Sequence, residues 1–161
     1  MRLVPSSDSH ITELLTWFNN AQDLYHWGAM KQLKSNEDLR QDLRASHLRS
    51  FSLLKHERDL VAFGQSYLRL NRLHLGRLAV KPEYRTKGIA KILITNIIEE
   101  AFEQENAKGV SLFVFRDNLS AYRCYQSLGF EERDYPGGIP GAMQNCAYMI
   151  LVPRERPQLS L

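Results

Sequence analysis

The chain has 161 residues, of which 43% are hydrophobic and 24% charged, and its formal net charge is +3. This length and apolar content suit one globular domain, and the mild charge argues against a nucleic-acid-binding surface, which carries a denser basic stripe. No apolar run is long enough to cross a bilayer, and no leader-like segment opens the chain. Cys124 and Cys146 lack metal-type spacing, so we expect reduced thiols, no bound metal, and a soluble cytoplasmic protein without membrane contact.

The first fifty residues predict two helices. Apolar residues follow helical spacing over residues 9–19, with serines before them as candidate caps. Ser35 and Asp38 form a cap pattern before a second helix. The aromatic-rich stretch 20–30 lies between the two helices and is interrupted by Gly28, and no element is predicted there.

The middle of the chain predicts strands. Residues 51–55 and 60–69 form two apolar stretches around a charged turn, which indicates a β-hairpin. A further strand covers 72–80 and ends before Pro82, which cannot continue a ladder. Helical periodicity then begins at Gly88. The elements predicted after that helix are, in order, a strand at 110–115, a helix at 120–128 ended by Gly129, a strand at 130–135 and a last strand at 146–152.

These elements predict an α+β fold. Two strands joined by one helix should lie parallel with a right-handed crossover, whereas the hairpins add antiparallel strands. We therefore expect α/β/α layers around a mixed, mostly antiparallel twisted sheet with a central parallel β-α-β unit. Residues 1–152 are predicted to form a single domain, followed by a loose tail at 153–161.

The segment 84–90 places Arg85 and Lys87 at the start of a helix, where the helix dipole disfavours cations. A solvated surface turn would tolerate them. A bound anion would make them favourable, because the first backbone N–H groups of a helix have no internal partners. Gly88 and Ala90 would leave the backbone open to an oxygen atom. The segment lacks the glycine patterns of Walker and Rossmann loops.

Two motifs resemble the GNAT superfamily of acyl-CoA-dependent N-acetyltransferases. LAVKPEYRTKGIA, residues 78–90, is similar to the family's strand followed by [QR]-x-x-G-x-[GA], although Thr86 stands where the family commonly has glycine. NLSAYRCYQSLGF, residues 118–130, is similar to N-x-x-A-x-x-x-Y-x-x-x-G-F. The order of elements agrees as well, and the resemblance covers roughly residues 50–152. It implies the GNAT fold. Residues 14–30 are similar to the opening of the branch that holds ribosomal-protein and aminoglycoside acetyltransferases.

The resemblance implies a site for acetyl-CoA as cosubstrate. The backbone of residues 85–90 would hold the diphosphate, and the strand end at 78–80 would pair with the pantetheine arm, which requires the sheet to splay beside 110–115. Asn118 would bind the same arm, cap the following helix, or do both. The implied cofactor-binding residues are Leu78, Ala79, Val80, Arg85, Thr86, Lys87, Gly88, Ile89, Ala90, Asn118 and Tyr125.

The implied reaction transfers an acetyl group to a primary amine of a small molecule or protein, by direct attack in a ternary complex. Tyr125 would protonate the departing thiolate, whereas its spacing alone favours a core aromatic. His74 falls where the histone-acetyltransferase branch carries its glutamate and would be the base; a structural histidine or a water chain are the alternatives. The N–H of Leu78 or Ala79 would stabilise the oxyanion.

Trp27 and Tyr25 would wall the acceptor pocket, whereas Trp17 suits the core, and the glycine-rich loop 135–145 would be a mobile lid. A homodimer is an expected assembly. Two other functions stay open at this point. One is a non-catalytic acyl-CoA-binding module, favoured by the absence of an acid on strand 72–80, and the other is a nucleotide-binding signalling domain.

Overall fold

The structure is a computed structural model that describes residues 1–28 and 35–153. The helices are α1 (Asp8–Leu14), α2 (Ala21–Gly28), α3 (Asn36–Leu43), α4 (Ile89–Ala101) and α5 (Leu119–Leu128). The strands are β1 (Arg2–Pro5), β2 (Arg49–Lys55), β3 (Asp59–Arg69), β4 (Arg72–Val80), β5 (Val110–Phe115), β6 (Phe130–Arg133) and β7 (Cys146–Leu151). Short 3-10 turns occur at Leu15–Trp17, Pro82–Tyr84 and Gly141–Met143.

In the described part of the chain, the strands form one seven-stranded sheet in the order β1-β2-β3-β4-β5-β7-β6. Every neighbouring pair is antiparallel except β4 and β5, which are parallel and joined by α4. This arrangement confirms the mixed sheet and the central β-α-β unit.

Helices cover both faces of the sheet. Leu93 and Ile97 of α4 pack with Ala62 on one face, in the larger of two hydrophobic clusters. Leu14 of α1 packs with Phe63 on the other face, in the smaller cluster. Successive strand residues point to opposite faces, so each helix layer buries its own set of apolar side chains and the expected α/β/α layering results.

The predicted helix caps are present. The Ser7 hydroxyl accepts a hydrogen bond from the backbone N–H of His10 at 3.3 Å, and the Ser35 hydroxyl accepts one from Asp38 at 3.2 Å. Gly129 ends α5 with φ of +101°, a left-handed conformation that glycine adopts without strain. These local signals explain why the helices begin and end where the sequence indicated.

Several boundaries differ from the prediction. Strand β1 was not predicted because it is only four residues long and includes Pro5. It is an edge strand that pairs with β2. Helix α2 was not predicted either, although the Asn20 side chain accepts a hydrogen bond from the Asp23 N–H at 2.9 Å and marks its start. The helix predicted at 9–19 gives way to a 3-10 turn after Leu14. Residues 29–34 and the predicted tail beyond 153 lie outside the described residues.

Strands β4 and β5 pair over three residues only. The ladder joins Leu73–Leu75 to Val110–Leu112, whereas β4 continues to Val80 and β5 to Phe115. The two strands therefore part, which is the splay that the pantetheine hypothesis needs.

A β-bulge lies on β4 where the strands part. Gly76 pairs with Gln65, and two residues, Arg77 and Leu78, then face the single residue Gly64 on β3. A side chain at Gly64 would be impossible without rearrangement, because its Cβ would lie 2.8 Å from the Leu78 side chain. The bulge turns the end of β4 away from the regular ladder.

Among the described helices, none combines the length and the apolar character needed to span a membrane.

Candidate functional site

A groove of about 480 Å³ lies between the end of β4, the start of α4 and helix α5. It brings together ten of the eleven residues expected to bind the cosubstrate: Leu78, Ala79, Val80, Arg85, Thr86, Gly88, Ile89, Ala90, Asn118 and Tyr125. Lys87 is not among the lining residues; it is exposed, and its ammonium group lies over the ring of Tyr84 at 5.7 Å.

The start of α4 forms the polar end of this groove. Gly88 occupies the cap position with φ of +78°, no side chain caps the helix, and the first turn contains no acidic residue. Four backbone N–H groups at such a terminus lack helical partners and carry the positive end of the dipole. Arg85 and Lys91 also line the groove, and its described lining contains no carboxylate. The arrangement fits a diphosphate.

Thr86 adopts φ of +62°, a left-handed conformation that is rare for a β-branched residue. Its hydroxyl donates a hydrogen bond to the carbonyl of Arg85 at 2.6 Å. The family motif commonly has glycine here, so the turn keeps the glycine conformation at the cost of local strain. Arg85 in turn donates from Nε to the carbonyl of Val80 at 3.2 Å, which holds the turn against the end of β4.

Asn118 joins the groove to helix α5. Its side-chain oxygen accepts a hydrogen bond from the N–H of Ala121 at 3.4 Å, so it caps the helix. Its own N–H donates to the carbonyl of Phe115 at 2.9 Å. The capping role is therefore observed, and the position of the residue in the groove wall is compatible with a second contact to a ligand.

Tyr125 lines the same groove from helix α5. The residue is half-buried, and its ring makes an edge contact with Phe130 at 6.2 Å. Burial raises the pKa of the phenol well above its ordinary value, with a smaller contribution from Cys124. The hydroxyl makes no hydrogen bond to another described residue, so it is available as a donor to a bound molecule.

A second cavity, of about 620 Å³, lies between α2, α3 and the splayed strands. His74 and Trp27, two of the predicted catalytic and acceptor-binding residues, line it. A smaller cavity of about 310 Å³ shares Trp27 with this cavity and shares Leu78–Val80 with the groove. The small cavity thus lies between the groove and the second cavity, at the end of β4.

His74 is buried, with 2% of its surface exposed. Its Nδ1 lies 2.8 Å from the Ser111 hydroxyl, and its ring packs against Tyr67 and Phe113 at centroid distances of 5.2 and 4.9 Å. Burial, and then the positive charge of Arg69, lower the pKa of the imidazole to about 3. The side chain is accordingly neutral near pH 7 and is a weak base.

The two tryptophans make different contacts, and Tyr25 lies apart from both cavities. Trp27 stacks on Phe18 at 4.5 Å, and its indole Nε1 donates a hydrogen bond to the carbonyl of Arg77 at 2.8 Å. Trp17 is buried in the smaller hydrophobic cluster, as expected. Tyr25 lines neither the groove nor the second cavity; its ring packs on Phe115 at 4.5 Å.

Several polar residues of the second cavity were not predicted. They lie near the splayed strands or in the helices that cover them. These residues are His26, Asp42, Gln65, Arg69 and Arg77. Gln65 was a readable signal, because it is a polar residue within an apolar strand. It donates to the carbonyl of Leu43 at 2.9 Å and accepts from Arg77 at 3.0 Å. Within residues 1–28 and 35–153, no group of three or more metal-ligating side chains is found.

Comparison with known proteins finds N-acetyltransferases among the relatives of this chain. The chain is 27% identical over 119 residues to a spermine/spermidine N(1)-acetyltransferase of Bacillus subtilis, covering 67% of this chain and 78% of the relative. It is 32% identical over 73 residues to a ribosomal protein bS18 alanine N-acetyltransferase of Escherichia coli, covering 45% and 49% of the two chains.

A solved structure agrees in fold. The crystal structure of a spermidine N-acetyltransferase from Vibrio cholerae in complex with CoA and spermine superimposes with a TM-score of 0.73 at 19% identity, covering 93% of this chain and 94% of that chain. The family model described as the acetyltransferase (GNAT) family matches residues 12–130. The resemblance of the two motifs is confirmed, and the chain belongs to the GNAT family of N-acetyltransferases.

Proposed function

We propose that this enzyme transfers the acetyl group of acetyl-CoA to a primary amine of a small molecule or protein, by direct attack while both are bound. One observation carries the proposal: the groove that ends at the uncapped start of α4 and a second cavity lie near the end of β4, and a small cavity shares lining residues with both. Two neighbouring sites are what a reaction between two bound substrates needs. The relatives named for spermine and for a ribosomal-protein alanine support an amine as acceptor.

The groove would hold the cosubstrate at two places. The backbone N–H groups from Arg85 to Ala90, with the side chains of Arg85 and Lys91, would bind the diphosphate. The end of β4, whose ladder to β5 stops at Leu75, would pair with the amide-bearing arm in the manner of an added strand. Acetyl-CoA supplies the reactive thioester.

Tyr125 would be the proton donor for the departing sulfur. The raised pKa keeps the phenol protonated across the range in which an enzyme of this kind works, so the donor is always loaded. A phenol is a weaker acid than a thiol, and its raised pKa makes the proton transfer to the thiolate more uphill in free energy. Its value lies in the fixed position of the hydroxyl at the wall of the groove.

The amine must lose a proton before it attacks. His74 is a poor acceptor because its pKa of about 3 lies far below that of an amine. We favour the alternative of a water chain, for which the second cavity has room: each water occupies about 30 Å³. His74 would then order water at the cavity wall, with its ring held by Ser111. The N–H groups of Leu78 and Ala79, beside the bulge, are the proposed oxyanion donors.

The test is a CoA-release assay with acetyl-CoA and a panel of amines that includes polyamines, amino acids, aminoglycosides and peptide N-termini. We expect turnover with at least one class. Tight CoA binding without turnover on any member would support the non-catalytic module instead. Tight ATP binding with indifference to CoA would overturn both and favour a nucleotide-binding domain.

A further inference from the structure

We infer that the acceptor amine carries an anionic group, a carboxylate or a phosphate, which Arg69 binds in the second cavity with Arg77 supporting it. The inference rests on the proposed function, because it names the acceptor class of that same site. It separates this enzyme from a polyamine acetyltransferase, whose acceptor is a chain of cations.

The charge of the second cavity is the first argument. Among its described lining residues, the fully charged side chains are one carboxylate, Asp42, and two guanidinium groups, Arg69 and Arg77. His74 adds no positive charge near pH 7. A polyamine would bring several ammonium groups toward two fixed cations, and each such contact between like charges is repulsive. An anionic group reverses the sign of that interaction.

Arg69 is held as a binding platform. Its guanidinium lies over the rings of Tyr67, Phe113 and Tyr135 at 5.5, 5.2 and 5.9 Å. It donates from Nε to the Tyr67 hydroxyl at 3.2 Å and from Nη1 to the Tyr135 hydroxyl at 3.0 Å. No described carboxylate contacts it.

Those contacts occupy only some of the N–H donors of Arg69. A guanidinium has five N–H donors, and the two phenols take two of them, so about three remain. The aromatic rings fix the plane of the fork without neutralising its charge. A planar, oriented and unpaired guanidinium is the group best suited to bidentate binding of a carboxylate or phosphate.

Arg77 gives an independent argument from backbone strain. It adopts φ of +47° at the bulge, a conformation that is strained for a residue other than glycine. Glycine would fit the bulge without that cost, so the side chain itself has a use there. Its Nη1 donates to Gln65 at 3.0 Å, and the residue directly precedes Leu78. The attraction of Asp42 partly offsets the effect of burial, which lowers the pKa of Arg77. Arg77 therefore adds positive charge close to the proposed transfer point.

The experiment compares acceptors that differ only by the anion. The pairs are lysine with cadaverine, 5-aminopentanoate with pentylamine, and phosphoethanolamine with ethanolamine, together with spermidine. We expect kcat/KM to be at least tenfold higher for the anionic member of at least one pair. The first two pairs test a carboxylate near to and far from the amine, and the third tests a phosphate.

The variants Arg69→Gln and Arg69→Glu test the assignment. We expect Arg69→Gln to lower the within-pair ratio toward one without changing the KM for acetyl-CoA, and Arg69→Glu to invert it. The ratio is measured on one enzyme preparation, so partial misfolding does not alter it. Arg133→Gln is the matched control, because Arg133 lies on β6 and contacts the side chain of Glu131; it should keep the wild-type ratio.

Four results would count against the inference. Equal rates within every pair, or a preference for spermidine, would overturn the anionic acceptor and leave the acetyltransferase proposal intact. A ratio unchanged by Arg69→Glu would remove Arg69 from the site. No turnover with any amine would overturn the proposed function, and the inference with it.

Discussion

The indole N–H of Trp27 is bonded to the carbonyl of Arg77 at 2.8 Å, which ties helix α2 to the bulge of β4. One element lies in the N-terminal part of the chain and the other in the central sheet. Trp27 and Leu78 both line the small cavity between the groove and the second cavity. Under the proposed function, this one hydrogen bond supports both the acceptor site and the cosubstrate site.

We expect Trp27→Phe to lower kcat/KM for the acceptor by about tenfold, because the bulge loses its tie while the ring can still stack on Phe18. The lost hydrogen bond should cost about 1 kcal/mol of stability. Trp17→Phe is the control: the Trp17 Nε1 is buried and makes no hydrogen bond to a described residue, so that change loses no such bond. Equal loss of activity in both variants, by steady-state assay, would contradict the assignment.

Gly88→Glu should abolish CoA binding. The added carboxylate would lie at the start of α4, where the diphosphate is proposed to bind, and a second anion there would repel it. Nothing lies within 4 Å of a Cβ at this position, so the fold has room for the side chain. Isothermal titration with CoA measures the effect.

Backbone strain is the competing cause for that variant, since Gly88 has φ of +78°. Gly88→Asn separates the two causes, because asparagine tolerates the left-handed region and adds no charge. We expect a loss of affinity of less than about tenfold there, or roughly 1.4 kcal/mol. CoA affinity retained in Gly88→Glu would refute the diphosphate site.

Tyr125→Phe should reduce kcat by roughly 100-fold or more, within the range of general acid catalysis, while CoA affinity changes little. The ring contact with Phe130 survives the change, so stability should hold. Tyr122→Phe is the matched control on the same helix, because the Tyr122 hydroxyl donates to Glu132 at 3.0 Å and does not line the groove. Unchanged turnover in Tyr125→Phe would end its assignment as the acid.

Asn118→Ala should cost about 1 kcal/mol of stability, the ordinary value of a lost helix cap, and should also weaken CoA binding several-fold. Ser35→Ala removes the cap of α3, which lies outside the groove. It should show the loss of stability alone. Thermal melts with and without CoA distinguish the two variants, and identical ligand-induced shifts would show that Asn118 is only a cap.

His74 should make the protein sensitive to acid. Its pKa falls from 6.5 in the unfolded chain to about 3 in the fold, so the unfolded state binds more protons between those values and stability is lost as pH falls through 6.5. The linkage amounts to about 2 kcal/mol between pH 7 and pH 5. His74→Gln should reduce this loss of stability, measured by urea titration at pH 7 and pH 5. A pH–rate profile of the same variant that keeps its shape near neutrality would agree with a water chain as the base.

The two motifs predicted most of the residues that line the groove, because these residues lie close together in the chain. A helix start, a glycine and a cap such as Asn118 act within a few residues, so their spacing predicts their geometry. The period of residues 89–101 and the short apolar run at 110–115 predicted the parallel unit for the same reason.

The second cavity could not be predicted in this way. Arg69, Arg77 and Gln65 meet because of the register between β3 and β4 and because of the bulge, neither of which can be read from spacing. The weak basicity of His74 is likewise a property of the groups around it, since a histidine in a sequence carries no sign of its burial. Lys87 was expected to contact the ligand. Its side chain is exposed and lies over the Tyr84 ring, outside the residues that line the groove.

The short seam between β4 and β5 has a consequence for the whole sheet. Three residue pairs span only about 10 Å of ladder, so the first four strands and the last three are nearly separate blocks. Under the proposed function, the reactant that enters the gap acts as a temporary eighth strand and links the two blocks. Under that proposal, the sheet is complete only while the compound on which the enzyme acts is bound.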